Sequence, residues 1–183
     1  LQNIILKLFD AGYEKNAMVP FMCALAAPLW HLNPNDKRFV LFTAGPFSSG
    51  KTNVQRAMRA LQYKFEGSLT TGLSHNSTAN FLEKAVSNMN DHVVIIDDYK
   101  DELSQGGGRP ILSLIQSLYD GVGRGRLTKD LSIAETHSSR CMVMMNGEDF
   151  PSIAQGSAYD RVLLQSIDGG HFQYGPLAEI SDT

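Results

Sequence analysis

One stretch of the chain combines glycines, hydroxyl side chains and a lysine at the spacing of a phosphate-binding loop. It consists of Gly45, Pro46, Phe47, Ser48, Ser49, Gly50, Lys51 and Thr52. In such a P-loop, backbone N–H groups turn inward around a phosphate chain, and the N-terminus of the following helix adds partial positive charge. The lysine contacts the β- and γ-phosphates, and the threonine hydroxyl is a ligand of Mg²⁺. Because the sequence contains no Asn-Lys-x-Asp motif for reading guanine, the segment predicts a site for ATP and Mg²⁺.

Two adjacent carboxylates follow an apolar run, Val93–Ile96, that has the composition of a buried strand. Acidic side chains at the carboxyl end of a central strand lie where α/β sheets bind their ligands. Asp97 is therefore predicted to coordinate Mg²⁺, and Asp98 to orient or deprotonate the attacking water. The ordinary alternative is that the two acids begin a solvated loop.

Two further polar residues are candidates for the same chemistry. Asn146 follows an apolar run, and its amide can donate and accept at once, which suits a residue that holds the attacking water. The alternative is a residue that opens an Asn-Gly turn. Arg161 is predicted to stabilise charge on a γ-phosphate bound by a neighbouring subunit, and its alternative role is an ion pair with Asp160.

Five short segments have the composition of strands in a buried parallel sheet. They are Arg38–Ala44, Ser68–Thr71, His92–Ile96, Arg140–Met145 and Arg161–Ile167. Amphipathic helical patterns separate most of them, at Lys51–Lys64, at Ser77–Met89 and from Pro110 to a stop at Gly121. This alternation predicts an α/β fold, a three-layer αβα sandwich around a five-stranded parallel sheet.

The order of these motifs resembles the core of the AAA+ ATPases, which are P-loop NTPases. The resemblance rests on GPFSSGKT, VVIIDD, a strand that ends in Asn146, and SAYDR ending at Arg161. Within that group the chain most resembles the helicase-like ATPases of phages and mobile elements, often joined to a primase, and the related superfamily-three viral replicative helicases. The resemblance implies a ring, usually a hexamer, with ATP between subunits and single-stranded or forked DNA in the channel. The chain departs from the wider pattern at Asp98, where a glutamate is usual.

Charge is distributed unevenly along the chain. The 183 residues carry a net charge of −3, which does not suggest a small basic DNA-binding module. Residues 104–140, however, contain five basic and three acidic side chains, a local excess of +2, whereas the remainder carries −5. We expect Arg124, Arg126 and Lys129 to face DNA phosphates from this segment. A γ-phosphate contact by Arg124 or Arg126, or a solvated loop, are the alternatives.

The composition, with 43% hydrophobic residues, predicts one domain with a substantial core. We expect an N-terminal helical segment at 1–32, the ATPase core at 33–168 and a tail or the start of a lid at 169–183, all within a longer protein. The longest apolar stretch, Ala17–Trp30, is too short for a membrane span and contains two prolines. Two distant cysteines, Cys23 and Cys141, indicate a reducing, cytoplasmic setting.

The sequence is therefore interpreted as the motor domain of a replicative DNA helicase. A DNA-associated initiator or switch that does not translocate would use the same residues, and the sequence does not separate these two functions. A small-molecule P-loop kinase is less consistent with it, since the strand that ends in Asn146 has no role in such an enzyme.

Overall fold

The strands form where the apolar runs of the sequence are densest, and helices connect them. The computed structural model describes residues 14–32, 37–62, 73–74, 77–100, 108–121, 139–150 and 159–168. In chain order the elements are α1 (Glu14–Ala26), a 3₁₀ helix (Ala27–Leu32), β1 (Val40–Ala44), α2 (Lys51–Ala60), β2 (Leu73–Ser74), α3 (Ala79–Ser87), β3 (Val93–Tyr99), α4 (Gly108–Asp120), β4 (Met142–Gly147) and β5 (Val162–Ser166).

The five strands form one sheet in the order β2-β3-β4-β1-β5, and every pairing is parallel. The carboxyl end of β1 at Ala44 is in register with Gly147 of β4 and with Ser166 of β5. The strands that precede the predicted functional residues therefore end at the same edge of the sheet. The predicted α/β fold with a five-stranded parallel sheet is confirmed.

Helices cover both faces of this sheet, because successive residues of a strand point to opposite sides. On one face, Leu41 and Met144 pack in a cluster with residues of α1 and α2. On the other face, Phe42 and Met145 pack in a cluster with residues of α3 and α4. The continuous burial of β1 and β4 follows from this three-layer arrangement.

Several element boundaries differ from those expected. β3 continues to Tyr99 instead of ending at Ile96, because a bulge between these two residues carries the strand past the acidic pair. The expected strand at Ser68–Thr71 lies outside the described residues, and the edge position of the sheet is occupied by Leu73–Ser74. The expected boundary between residues 32 and 33 adjoins residues that are not described, and the expected tail at 169–183 also lies outside the described residues.

Both cysteines are buried free thiols. Burial raises the pKa of Cys23 to about 11 and that of Cys141 to about 12. Thiolate is the reactive form of cysteine, so these side chains are structural rather than reactive. No helix among the described residues has the length and hydropathy that a membrane span requires.

The position of the core generates a stability prediction. Leu41 of β1 and Leu163 of β5 are register partners, but Leu41 is fully buried whereas Leu163 is 42% exposed. We expect Leu41→Ala to lower the free energy of unfolding by about 2–5 kcal/mol, because it leaves a cavity. The matched change Leu163→Ala is expected to cost about 1 kcal/mol. Urea unfolding followed by circular dichroism measures both, and equal losses would contradict this position of the core.

Candidate functional site

The loop between β1 and α2 has the backbone of a phosphate cradle. Ser48 and Gly50 adopt left-handed conformations, with φ of 61° and 81°. Gly50 immediately precedes α2 and provides no side-chain cap, which leaves the first N–H groups of that helix available to an anion. Gly45 is required for a different reason, since a Cβ there would lie 2.5 Å from the carbonyl oxygen of Ile167.

Lys51 lies across this loop. Its Nζ donates to the carbonyl oxygens of Gly45 at 2.7 Å and Pro46 at 2.8 Å, and to Ser49 Oγ at 3.3 Å. Burial lowers the pKa of Lys51, and the nearby carboxylates, of which Glu148 has the largest effect, partly offset that shift. A phosphate chain in the loop would favour the charged ammonium in the same way and would compete for its donors.

A cavity of about 330 Å³ opens beside the loop. Its lining brings together the predicted phosphate, metal and water-activating residues with Asn53, Gly147 and Glu148. The lining residues include Phe47, Ser48, Ser49, Gly50, Lys51, Thr52, Asp97, Asp98, Asn146 and Glu148. Residues more than 90 positions apart in the chain therefore face one space. Gly45 and Pro46 contribute the carbonyl oxygens that hold Lys51.

Thr52 and Asp97 meet at the end of the P-loop. Thr52 Oγ1 donates to Asp97 Oδ1 over 2.8 Å, and the guanidinium of Arg56 lies 4.0 Å from the other carboxylate oxygen. A hydroxyl and a carboxylate at this spacing are hard oxygen ligands on one side of the cavity. Because Mg²⁺ commonly takes one or two protein oxygens and completes its shell with water and phosphate, the pair fits that ion.

Asp98 lies in the bulge of β3 and has an unusual backbone. Its φ is 57°, a left-handed value that is uncommon for a residue with a side chain. The backbone N–H donates to Asp97 Oδ1 at 3.1 Å and to Asn146 Oδ1 at 3.2 Å. The carboxylate is 66% exposed and lies 3.5 Å from Lys100 Nζ. The bulge thus gives the two successive acids different surroundings, one against Thr52 and one open to solvent.

Asn146 lies inside β4, opposite Thr43 in the register, and only 1% of its surface is exposed. It is therefore not a turn residue. Its Nδ2 donates to Gln55 Oε1 at 2.9 Å, while its Oδ1 accepts from the backbone of Asp98. An amide nitrogen carries two N–H donors, and Gln55 uses one of them. Asn146 also lines the cavity.

The sequence analysis missed two residues of this site. Gln55 lies on the buried face of α2 beside Val54 and is fully buried. The available signal was a polar residue on the apolar face of an amphipathic helix. Glu148 follows Asn146 by two residues, lines the cavity and acts electrostatically on Lys51. Its signal was a carboxylate close behind a strand end, which is also a common feature of solvated loops.

Arg161 lies away from the cavity of its own chain. It immediately precedes β5, at the amino ends of the strands, whereas the P-loop follows the carboxyl end of β1. Its guanidinium pairs with Asp120 Oδ1 at 3.6 Å and lies 4.9 Å from the centre of the Tyr119 ring. The partner is thus Asp120 and not Asp160. The three residues expected to face DNA, Arg124, Arg126 and Lys129, lie outside the described residues.

The fold is similar to that of solved helicase structures. The whole chain aligns with a structure described as "SCCmec type IV Cch - active helicase", with a TM-score of 0.66 and 18% identity. A JCV helicase structure aligns with 92% of the chain at a TM-score of 0.54 and 20% identity, and an inhibitor-bound JCV helicase aligns with all of it at 0.56 and 19%. At these identities the similarity establishes the fold. The chain spans 34%, 45% and 51% of the lengths of these three proteins.

A family model covers most of the chain. No curated protein matches the sequence. Residues 3–137 match the family model "Domain of unknown function (DUF927)", a range that includes the P-loop and both acids of β3. Because the match extends over more than half of the chain, the protein belongs to the DUF927 family.

Proposed function

We propose that this chain is the ATP-binding and ATP-hydrolysing motor domain of a replicative DNA helicase of a phage or mobile element. The observation that carries the proposal is the 2.8 Å hydrogen bond between Thr52 and Asp97. It joins the P-loop to the acidic strand, so that the predicted Mg²⁺ ligands and Lys51 face one cavity. The similarity in fold to proteins described as helicases supports the choice of a helicase among P-loop enzymes.

Each side chain has a distinct role in this proposal. Lys51 exchanges its loop carbonyl partners for the β- and γ-phosphates. Thr52 and Asp97 hold Mg²⁺, which when bound neutralises charge on the phosphates. Asp98 takes or orients a proton of the attacking water, and Asn146 donates its remaining N–H to that water.

The subunits are proposed to act as a ring, a hexamer, in which the site is completed by a neighbour. Arg161 of one subunit would reach the γ-phosphate held by the next, and its position away from the cavity of its own chain supports this role. Arg124, Arg126 and Lys129 are proposed to contact the phosphates of single-stranded or forked DNA in the channel. A primase module in the same protein and a cytoplasmic location complete the proposal.

Removal of the P-loop lysine tests the activity itself. We expect the chain to hydrolyse ATP in the presence of Mg²⁺, with a rate that rises on addition of single-stranded DNA. Lys51→Ala is expected to lower that rate by about 10²- to 10³-fold, because the developing charge on the phosphates loses its cation. Lys84→Ala, an exposed lysine on α3, is the matched control and is expected to leave the rate unchanged. The rate of phosphate release is measured for the unaltered chain and for both variants. Transfer of phosphate to a metabolite, or hydrolysis that ignores DNA at low salt, would contradict the motor function.

Substitution by the corresponding amide tests which of two carboxylates, Asp98 or Glu148, is the general base. We expect Asp98→Asn to lower kcat by about 10²- to 10⁴-fold with KM for ATP little changed, since a general base is lost. Glu148→Gln is expected to change kcat by less than about tenfold, because its charge acts on Lys51 rather than on the water. Steady-state kinetics measures both variants. The opposite order of effects would transfer the role of base to Glu148.

Mixed rings test whether Arg161 acts on a neighbour. Arg161→Ala and Lys51→Ala proteins are each expected to be inactive, whereas an equimolar mixture is expected to regain part of the activity. In the mixture, an intact pocket meets an intact arginine only across a subunit interface. Asp120→Asn is the control, because it breaks the same ion pair without removing the guanidinium and is expected to retain activity. A mixture as inactive as its components would argue against the shared site.

A further inference from the structure

We infer that Gln55 is a positioning residue for the proposed hydrolysis. It sets the orientation of the Asn146 amide and, through that amide, helps to hold the backbone of Asp98. The inference rests on the proposed function, but its evidence is a separate chain of hydrogen bonds beneath the cavity. Gln55 is not among the residues that line the cavity, so its effect on the reaction must pass through Asn146.

The side chain of Gln55 lies between α2 and the sheet and is fully buried. Its Nε2 donates to the carbonyl oxygen of Met145 at 2.9 Å and, less closely, to Thr43 Oγ1 at 3.5 Å. Its Oε1 accepts from Asn146 Nδ2 at 2.9 Å. A buried amide is costly unless both its ends are hydrogen-bonded, and here the carbonyl and amino ends of the amide are both used.

These contacts allow one orientation of each amide. The carbonyl oxygen of Met145 can only accept, so the Nε2 end of Gln55 must face it. The Oε1 end of Gln55 then faces Asn146, which must present its Nδ2. Asn146 Oδ1 is consequently turned to the backbone N–H of Asp98, 3.2 Å away. If the Asn146 amide flipped, a donor would face the donor of Asp98 and an acceptor would face Oε1 of Gln55.

The chain of amides links the P-loop helix to the acidic strand. Gln55 is three residues beyond Thr52 on α2, and Asp98 follows the metal-binding candidate on β3. The left-handed backbone of Asp98 is an unfavourable conformation that persists only where its surroundings hold it. The bond from its N–H to Asn146 is one such restraint, and Gln55 keeps the accepting oxygen in place.

A positioning role predicts a particular kinetic signature. ATP binding depends on the P-loop backbone and on the Lys51 ammonium, whereas the hydrogen bonds of the Gln55 side chain go to Thr43, Met145 and Asn146. Loss of the Gln55 amide would therefore leave binding intact and would disorder the orientation of Asn146 and Asp98. A residue that serves only packing would instead change stability without separating kcat from KM.

The experiment uses the full chain and compares two glutamines of similar hydrogen bonding. Gln62 lies just after the C-terminus of α2. Its Nε2 donates to the carbonyl oxygen of Ala24 at 3.0 Å, and its Oε1 accepts from the backbone N–H of Val93 at 2.7 Å. Gln55→Met is expected to lower kcat for ATP by about 10- to 100-fold, the usual effect of removing a supporting contact, with KM unchanged. Gln62→Met, which removes the same kinds of bond remote from the cavity, is expected to lower Tm but not kcat.

A double-mutant cycle gives the second readout. If Gln55 acts through Asn146, then Gln55→Met combined with Asn146→Ala is expected to have the same kcat as Asn146→Ala alone. Multiplied losses in the double variant would overturn the inference. An unchanged kcat in Gln55→Met, or a fall in kcat that parallels Tm as in Gln62→Met, would also overturn it.

Two further outcomes keep the test decisive. Should Gln55→Met fail to fold, Gln55→Asn keeps an amide but withdraws it by one methylene, and it is expected to lower kcat with KM unchanged. A normal kcat in that variant would overturn the inference.

If the unaltered chain hydrolyses ATP and the Gln55 variants are normal, the positioning role alone fails. If the unaltered chain does not hydrolyse ATP, the proposed function fails and the positioning role with it.

Discussion

The parallel pairing of β1 with β4 is the constraint on which the site depends. It places Thr43 opposite Asn146 and Ala44 opposite Gly147, so that the P-loop begins level with the end of β4. The N–H of Gly45 extends this pairing by donating to the carbonyl oxygen of Gly147 at 3.2 Å. A Cβ at Gly147 would lie 2.7 Å from the carbonyl oxygen of Tyr99, which shows how closely β3 approaches on the other side. A shift of one residue in this register would turn Asn146 to the opposite face of the sheet, away from Gln55.

The charged side chains around the cavity bear on which ligands it can bind. Among the described residues that line it, Lys51 is the single cation and faces three carboxylates, those of Asp97, Asp98 and Glu148. A triphosphate brought into this space would meet three carboxylates, two of which also have a cationic neighbour, Arg56 beside Asp97 and Lys100 beside Asp98. A further cation would offset the charge that the triphosphate itself brings, and the hydroxyl of Thr52 and the carboxylate of Asp97 are suited to hold one as Mg²⁺. The proposed arginine from a neighbouring subunit meets the same need at the other end of the phosphate chain.

The residues predicted from the sequence and those found only in the structure differ in the range of their contacts. The P-loop could be recognised because its glycines, Lys51 and Thr52 are contiguous and lie between a strand and a helix. The acids and Asn146 could be placed because each follows an apolar run, and parallel strands bring their carboxyl ends to one edge. The bulge at Asp98 was not predicted, because it depends on how β3 meets β4 and not on the local composition. The partner of Arg161 was also not predicted, since Asp120 lies 41 positions away in the sequence.

The sequence by itself determined the class of the fold and predicted that the P-loop motif, the acidic pair and Asn146 meet at one edge of the sheet, because these follow from local patterns of polarity and from the rules of parallel sheets. The tertiary structure alone decided that Gln55 supports Asn146, across 91 positions, and that Glu148 belongs to the cavity. It also decided that Arg161 lies remote from its own site. The physical reason is that a hydrogen bond between side chains is specified by distance and direction in space, whereas a glutamine or a glutamate in sequence has many equally ordinary environments.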